Sequence, residues 1–425
     1  MRRSPRSLTV SVAALTAAGA LVLTACNGAT DDADALDVWI MEGTNPDASD
    51  FFDDVAADFE EQTGAEVNVE FVPWADAHDR FVTGMAGDEL PDVAEVGTTW
   101  TPEFAETGAM ADLTDRIDDP DDYVPELIEA AEVEDGIYGV PWHAAVRSII
   151  YRTDIFEDLD LDEPQDWDEL RAAAIAIDES EAWEETAFPV PGHATHSISA
   201  FIWGAGGDFA TENPDGSWDI HIDSAESQEG LQYLADLALE DDVSTTGATT
   251  WMETDILDNF NDENVAMTVQ GGWTIPAILE DNPDLEGRIG AFMIPGPDGE
   301  PSPSFVGGSH LGVFEGADQD LSWEFIELLT EEEYSVRWSE ESGYFPPNRE
   351  QLTQFEESDD DLVAPFAQQM SQAGAVYPVT PAWGDVEGDE VFPRMMQDIL
   401  SEDATVAEAT STAAEELDEF LNQDD

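Results

Sequence analysis

The chain has 425 residues and carries 99 Asp and Glu against 12 Arg, with no Lys at all, a formal charge of −87. That balance excludes nucleic acid as a partner, because gripping phosphates needs basic patches. The 42% hydrophobic content and 13 Trp exclude a disordered acidic chain and suit two domains of ordinary size.

The chain opens with Arg2, Arg3 and Arg6, and the apolar run from Leu8 to Ala25 follows without a single acid. A basic start, a short apolar stretch and small residues at its end have the layout of a secretory leader. Leu23-Thr24-Ala25-Cys26 resembles a bacterial lipobox, in which the cysteine is acylated after cleavage. Residues 1–25 are therefore expected to be a signal peptide, with Cys26 as a lipidation site and residues 26–35 as a short tether carrying Gly28, Asp31, Asp32 and Asp34. Cys26 is the sole cysteine, so no disulfide is expected and stability must come from burial. No second apolar run of spanning length follows. Nine Arg remain beyond the leader, and self-repulsion at this charge opposes compactness in dilute buffer. At about 1 M salt the Debye length is only ~3 Å, so the composition points to a salt-rich habitat.

Leu36 to Met41 is expected to be a strand. Asp50 to Gln62 reads as a helix with Phe51, Phe52, Val55 and Phe59 on one face, ended by Gly64. Ala65 to Val72 alternates as a strand, His78 to Ala86 is helical, and Pro91 to Val96 is a third strand. This alternation predicts an α/β fold with mostly parallel sheets flanked by helices. Ligands in such sheets sit beyond the carboxyl ends of strands. Those ends are Glu42-Gly43-Thr44-Asn45, Pro73-Trp74 and Gly97-Thr98-Thr99-Trp100.

Asp135 to Trp142 reads as a hairpin, and apolar Val146 to Arg152 starts a new unit. Asp166 to Ile177 is a helix, Glu185 to Pro191 a short strand and Thr195 to Ala205 a helix. A turn at Asn213 to Gly216 leads to alternating Trp218, Ile220 and Ile222. Ser224 to Glu240 is a helix, Val265 to Val269 a strand, and Gly271-Gly272-Trp273 opens another helix. Ile289 to Ile294 is a strand, and the Gly- and Pro-rich 295–303 is a crossing. Leu311 to Phe314 is a strand, 320–330 and 331–341 are helices, and 343–348 crosses again. The remainder is helical, with Val391 to Leu400 and a capping box at Thr405 to Glu408.

The order of these motifs resembles the extracellular solute-binding lipoproteins of ABC importers, in the carbohydrate-binding family of maltose-, trehalose- and chitobiose-binding proteins. The resemblance rests on Gly43-Thr44-Asn45-Pro46-Asp47, Pro91 to Gly97, Phe104 to Leu113, Tyr138 to Trp142, Ile150 to Phe156, Gly271-Gly272-Trp273 and Pro381-Ala382-Trp383. It implies a periplasmic-binding-protein-like fold of two discontinuous lobes with a cleft between them. One lobe would comprise 36–143 and 301–343, the other 144–300 with the C-terminal helices of 344–425. The first and third loops look most like the branch that takes up N-acetylglucosamine oligomers, although His143 stands where that branch often has Tyr or Phe.

A sugar presents an apolar face and a rim of hydroxyls, so its site needs aromatic platforms and short polar groups. Trp74, Trp100, Trp142, Trp203, Trp273, Tyr344 and Trp383 fall at predicted loops or crossings, whereas Trp39 and Trp167 take inward positions. Glu42, Asn45, Thr98, Thr99, His143, Asp208 and Asn348 are the hydroxyl-binding candidates. Arg147 is expected to pair with a buried acid. Enzyme signals are poor: so acidic a chain offers carboxylate pairs everywhere, and Gly307-Gly308-Ser309-His310-Leu311 lacks the last Gly of a nucleophile elbow. His193 and His196 have metal-like spacing, but no Cys is available and their loop is flanked by Gly and Pro; a calcium loop near 213–219 lacks its Glu, and no Walker A motif occurs.

The expected function is capture of an oligosaccharide, of chitobiose type or an α-glucoside, for an ABC permease. No catalysis, cofactor or metal is expected, and the protein is read as a monomer anchored by lipid outside the membrane. A secreted glycoside hydrolase and a ligand-presenting sensor are the alternatives.

Overall fold

The computed structural model describes residues 35–422, apart from 88 and 135. The leader, Cys26 and nearly all of the tether lie outside the described residues. Two sheets organise the rest. The first has five strands in the order Glu66–Pro73, Ala35–Glu42, Val93–Gly97, Gly307–Val313 and Val140–Ala145. Successive side chains of a strand leave on opposite faces, and both faces here are apolar. Leu36, Val38 and Ile40 join one core with Phe51, Phe52 and Phe59. Trp39 and Met41 join another with Phe81, Phe104 and Phe314. Helix Ser49–Thr63 buries its Phe stripe and ends at Gly64, whose φ of +82° is one that glycine adopts without strain.

The second sheet places Arg147–Arg152 between Met267–Gly271 and Ile289–Phe292. Ile149 and Tyr151 enter a core with Trp167, Phe201 and Trp383. Ile150 faces a different one with Phe260 and Phe366.

The expected parallel pairing is found among Glu66–Pro73, Ala35–Glu42 and Val93–Gly97. It is interrupted in each sheet by one reversed strand. Gly307–Val313 runs antiparallel to both neighbours, and so does Arg147–Arg152. The reason is topological. Each reversed strand enters just after the chain has come across from the other sheet, so it begins at the end where its neighbours finish. Only Val146 separates Val140–Ala145 from Arg147–Arg152.

Most other expected elements form within a few residues of their forecast limits. Asp166 and Ser224 cap their helices, and Thr405 with Glu408 forms the capping box. Asp135 to Trp142 does not close on itself as a hairpin: Gly136–Ile137 pairs back onto Glu132–Val133, and Val140–Ala145 pairs with Gly307–Val313. Glu185 to Pro191 also departs from expectation. It holds only a single bridge from Thr186 to Val265, because Pro189 and Pro191 bring no N–H to a ladder. No described helix is long and apolar enough to cross a membrane.

Candidate functional site

The strand ends of both sheets meet around a cavity of about 300 Å³. From the first sheet come Thr44, Trp74, Gly97 to Trp100, His143 and Gly307 to Ser309. The other side supplies Arg147, His193 to His196, Met252 to Thr254, Trp273, Phe305 and Glu387. Tyr344 completes the wall.

Aromatic rings on the wall form three groups, one of them His196 stacked on Phe305 at 4.7 Å. Trp273, Tyr344 and His143 make a stacked ladder, with centroids 5.2 Å apart for the first pair and 3.8 Å for the second and ring planes within about 20° of parallel. Trp74 leans on Trp100 at 5.6 Å. Trp273 sits just after Gly271-Gly272, and Gly271 is required there: a Cβ would lie 2.1 Å from the indole.

Beneath the ladder lies a buried acid. Glu95 accepts hydrogen bonds from the Met41 amide at 2.8 Å, from Ser309 Oγ at 2.7 Å and from His143 Nε2 at 3.1 Å. Holding Nε2–H on this carboxylate leaves Nδ1 as the acceptor, and Nδ1 has no partner among the described residues. Trp273 Nε1 and His193 Nδ1 are likewise unpartnered. Their hydrogen-bonding capacity is unspent.

The charges in the wall are internally matched. Arg147 makes a bidentate pair with Glu253, Nε and Nη2 each 2.8 Å from a carboxylate oxygen. Its guanidinium also lies 5.0 Å from the Trp273 ring centroid. Burial, followed by the nearby Arg147, holds His196 neutral, well below its ordinary pKa. Glu387 accepts from Thr99 Oγ1 and Trp100 Nε1 at 2.9 Å and from Trp383 Nε1 at 3.2 Å. Burial pushes its carboxyl upward and these three donors pull it part of the way back. Among the described residues no group of three or more His, Cys, Asp or Glu could hold a metal ion.

Residues 43–336 match the bacterial extracellular solute-binding protein family. The chain belongs to that family. Among curated relatives, the diacetylchitobiose-binding protein DasA of Streptomyces coelicolor is 29% identical over 399 residues, covering 89% of this chain and 90% of that one. An ABC-transporter solute-binding protein of Thermotoga lettingae, solved with α-D-tagatose, superposes with a TM-score of 0.83 at 26% identity, covering 92% of this chain and all of that one. Maltose-bound MalE3 of T. maritima gives 0.78 at 22% identity, over 90% and 98% of the two chains, which supports the fold. These neighbours are solute-binding proteins rather than enzymes, in line with the expectation of binding without catalysis.

Within this solute-binding fold, Trp74, Thr98, Thr99, Trp100, His143, Trp273 and Tyr344 are brought together on the cavity wall. The other candidates lie elsewhere. Trp142 is wholly buried against Trp338, stacked at 4.8 Å. Trp203 packs on Tyr377 and bonds Asp208, whose carboxylate also caps the Phe209 amide. Asn348 caps helix Arg349–Glu356, and Asn45 donates to the Pro46 carbonyl. Glu42 is exposed at the end of its strand. Trp383 is buried and reaches the cavity only through Glu387. Trp39 and Trp167 are buried as their inward positions predict.

Sequence reasoning overlooked Glu387, Glu253 and Phe305. One acid among 99 carries no local mark. The i, i+4 spacing of Trp383 and Glu387 was the available signal, since it puts an indole N–H beside a carboxylate.

Proposed function

We propose that this protein captures a neutral oligosaccharide in the cavity between its lobes and hands it to the permease of an ABC importer. The observation that carries the reading is one cavity lined by aromatic rings together with short polar side chains. Half-buried Trp74 and Trp100 offer an aromatic platform to the C–H face of a pyranose, and Thr98, Thr99 and His193 line the same cavity to meet its hydroxyls. The single guanidinium on the wall is already matched by Glu253, so nothing there favours an acidic sugar. Family membership supports the transport role, and DasA supports a diacetylchitobiose-type ligand over an α-glucoside. On this reading the lobes are 36–143 with 301–343, and 144–300 with 344–425. Affinity near micromolar, about −8 kcal/mol, is expected.

Calorimetry at molar salt with diacetylchitobiose, maltose and trehalose tests it. Diacetylchitobiose should bind most tightly, and failure of all three to bind would overturn the sugar assignment. Acylation of Cys26 would hold the monomeric binder beside its permease outside the membrane. Replacing Cys26 by Ser should then release the protein from the membrane fraction, and retention there would remove the anchor.

A further inference from the structure

Glu387 belongs to helix Ala382–Gly388. That helix is fixed in the core of the second sheet: Trp383 is buried there, stacked at 5.1 Å on Tyr377 and packed against Phe392. Thr99 and Trp100 follow the strand Val93–Gly97 of the first sheet, and Trp100 packs into that lobe's core with Trp74 and Phe104. The Glu387 carboxylate therefore spans two separately built cores. One oxygen takes two donors from the first lobe, and the other takes the indole N–H of its own helix.

A second contact lies one turn away. Gly384 faces helix Thr101–Glu106 so closely that a Cβ there would lie 1.8 Å from Glu103 Oε2. Glu103 in turn accepts from His78 Nε2 at 2.9 Å. A small residue and an acceptor thus let one helix dock against the other lobe, and both contacts are made by protein atoms alone.

We propose that Glu387 is a closure latch, a positioning residue that holds the lobes together across the cleft and sets Thr99 and Trp100 in place before the ligand is bound. The inference deepens the sugar-binding reading, since it concerns the same cavity, but its main readout needs no sugar. A ligand can shift a two-state equilibrium only by its differential affinity for the two states. A latch that raises the closed population therefore raises apparent affinity by the same fraction. Its acceptor must be able to take three donors at once. A carboxylate can do so, whereas an amide turns an N–H₂ toward donors it cannot satisfy.

The experiment is small-angle scattering on the sugar-free protein, beside calorimetry. Glu387→Ala should shift the sugar-free ensemble toward a larger radius of gyration and weaken ligand binding roughly tenfold. Trp100→Phe removes one donor while leaving an aromatic ring there, and should shift the ensemble in the same direction by less. It also serves if Glu387→Ala fails to fold. An unchanged scattering curve in Glu387→Ala, or in Trp100→Phe where the former does not fold, overturns the latch even if affinity falls, because Glu387 would then act on the ligand alone. An opened variant of a protein that binds none of the sugars would keep the latch and remove the sugar reading.

Discussion

Arg147 grips Glu253 through two parallel hydrogen bonds of 2.8 Å, and the same guanidinium lies over Trp273. The pair joins the first residue of the crossing strand to the first residue of helix Glu253–Asn261. It thereby fixes the indole that faces the cavity. Arg147 is 7% exposed, so removing it strands a carboxylate in a poorly solvated wall.

Arg147→Met is accordingly expected to destabilise the fold by about 3 kcal/mol, the low end for breaking a buried pair, because Glu253 keeps some solvent. Adding Glu253→Leu should recover most of the loss, since no charge is then left unpaired. Urea melts of the two singles and the double give the coupling directly. Strictly additive losses would show that the pair does not act as a unit.

Trp273→Ala should weaken sugar binding by roughly 1–3 kcal/mol, as truncation of an aromatic anchor does. Trp273 also stacks on Tyr344 and is 5% exposed, so its melting temperature should fall as well. Calorimetry at a temperature where the variant remains folded separates the two effects. Unchanged affinity would take Trp273 out of the site.

The two α/β lobes were legible in the sequence because both sheets bury their two faces, which writes long apolar strands between amphipathic helices. Reversal of the crossing strands was not, since pairing direction leaves no mark on residues such as Ile149 or Leu311. Trp273 and Trp100 could be placed near strand ends by their Gly-rich loops. Trp142 and Trp383 carry the same local signature, yet they turn inward onto Trp338 and Tyr377. Which way an indole points depends on tertiary partners, such as Trp338 for Trp142 and Phe209 for Trp383, that no local pattern reveals.

His310 should make stability sensitive to acid. Its Nε2–H donates to the Leu127 carbonyl at 2.8 Å, which leaves Nδ1 to accept from Thr101 Oγ1 at 2.8 Å. Burial lowers its pKa to about 4, against the upward pull of the bond to the Leu127 carbonyl, compared with roughly 6.5 in an unfolded chain. A group whose folded pKa is depressed stabilises the fold above its unfolded pKa and loses that contribution as pH falls through the folded one. Between about pH 6.5 and 4 the wild type should lose on the order of 3 kcal/mol that His310→Gln does not lose. Carboxylates titrating in that window are common to both chains, so the difference between their urea melts isolates the histidine. A gap that stays constant with pH would remove it as the cause.

Salt should stabilise this protein, which distinguishes it from an ordinary acidic one. Surface ion pairs such as Arg80 with Glu70 and Arg394 with Glu416 are each worth about 0–1 kcal/mol, and screening weakens them. Against them stands a formal charge of −87, whose repulsion reaches across about 10 Å at 0.1 M salt and only about 3 Å at 1 M. With 99 acids and 12 Arg, few acids can find a cation, so relief of repulsion outweighs the lost pairs. The melting temperature should rise steeply up to a few tenths molar NaCl and then flatten, whereas an uncharged osmolyte at matched osmolality should give no such early rise. A melting temperature that is flat or falls from low to molar salt would show that the acidic surface is tolerated without screening.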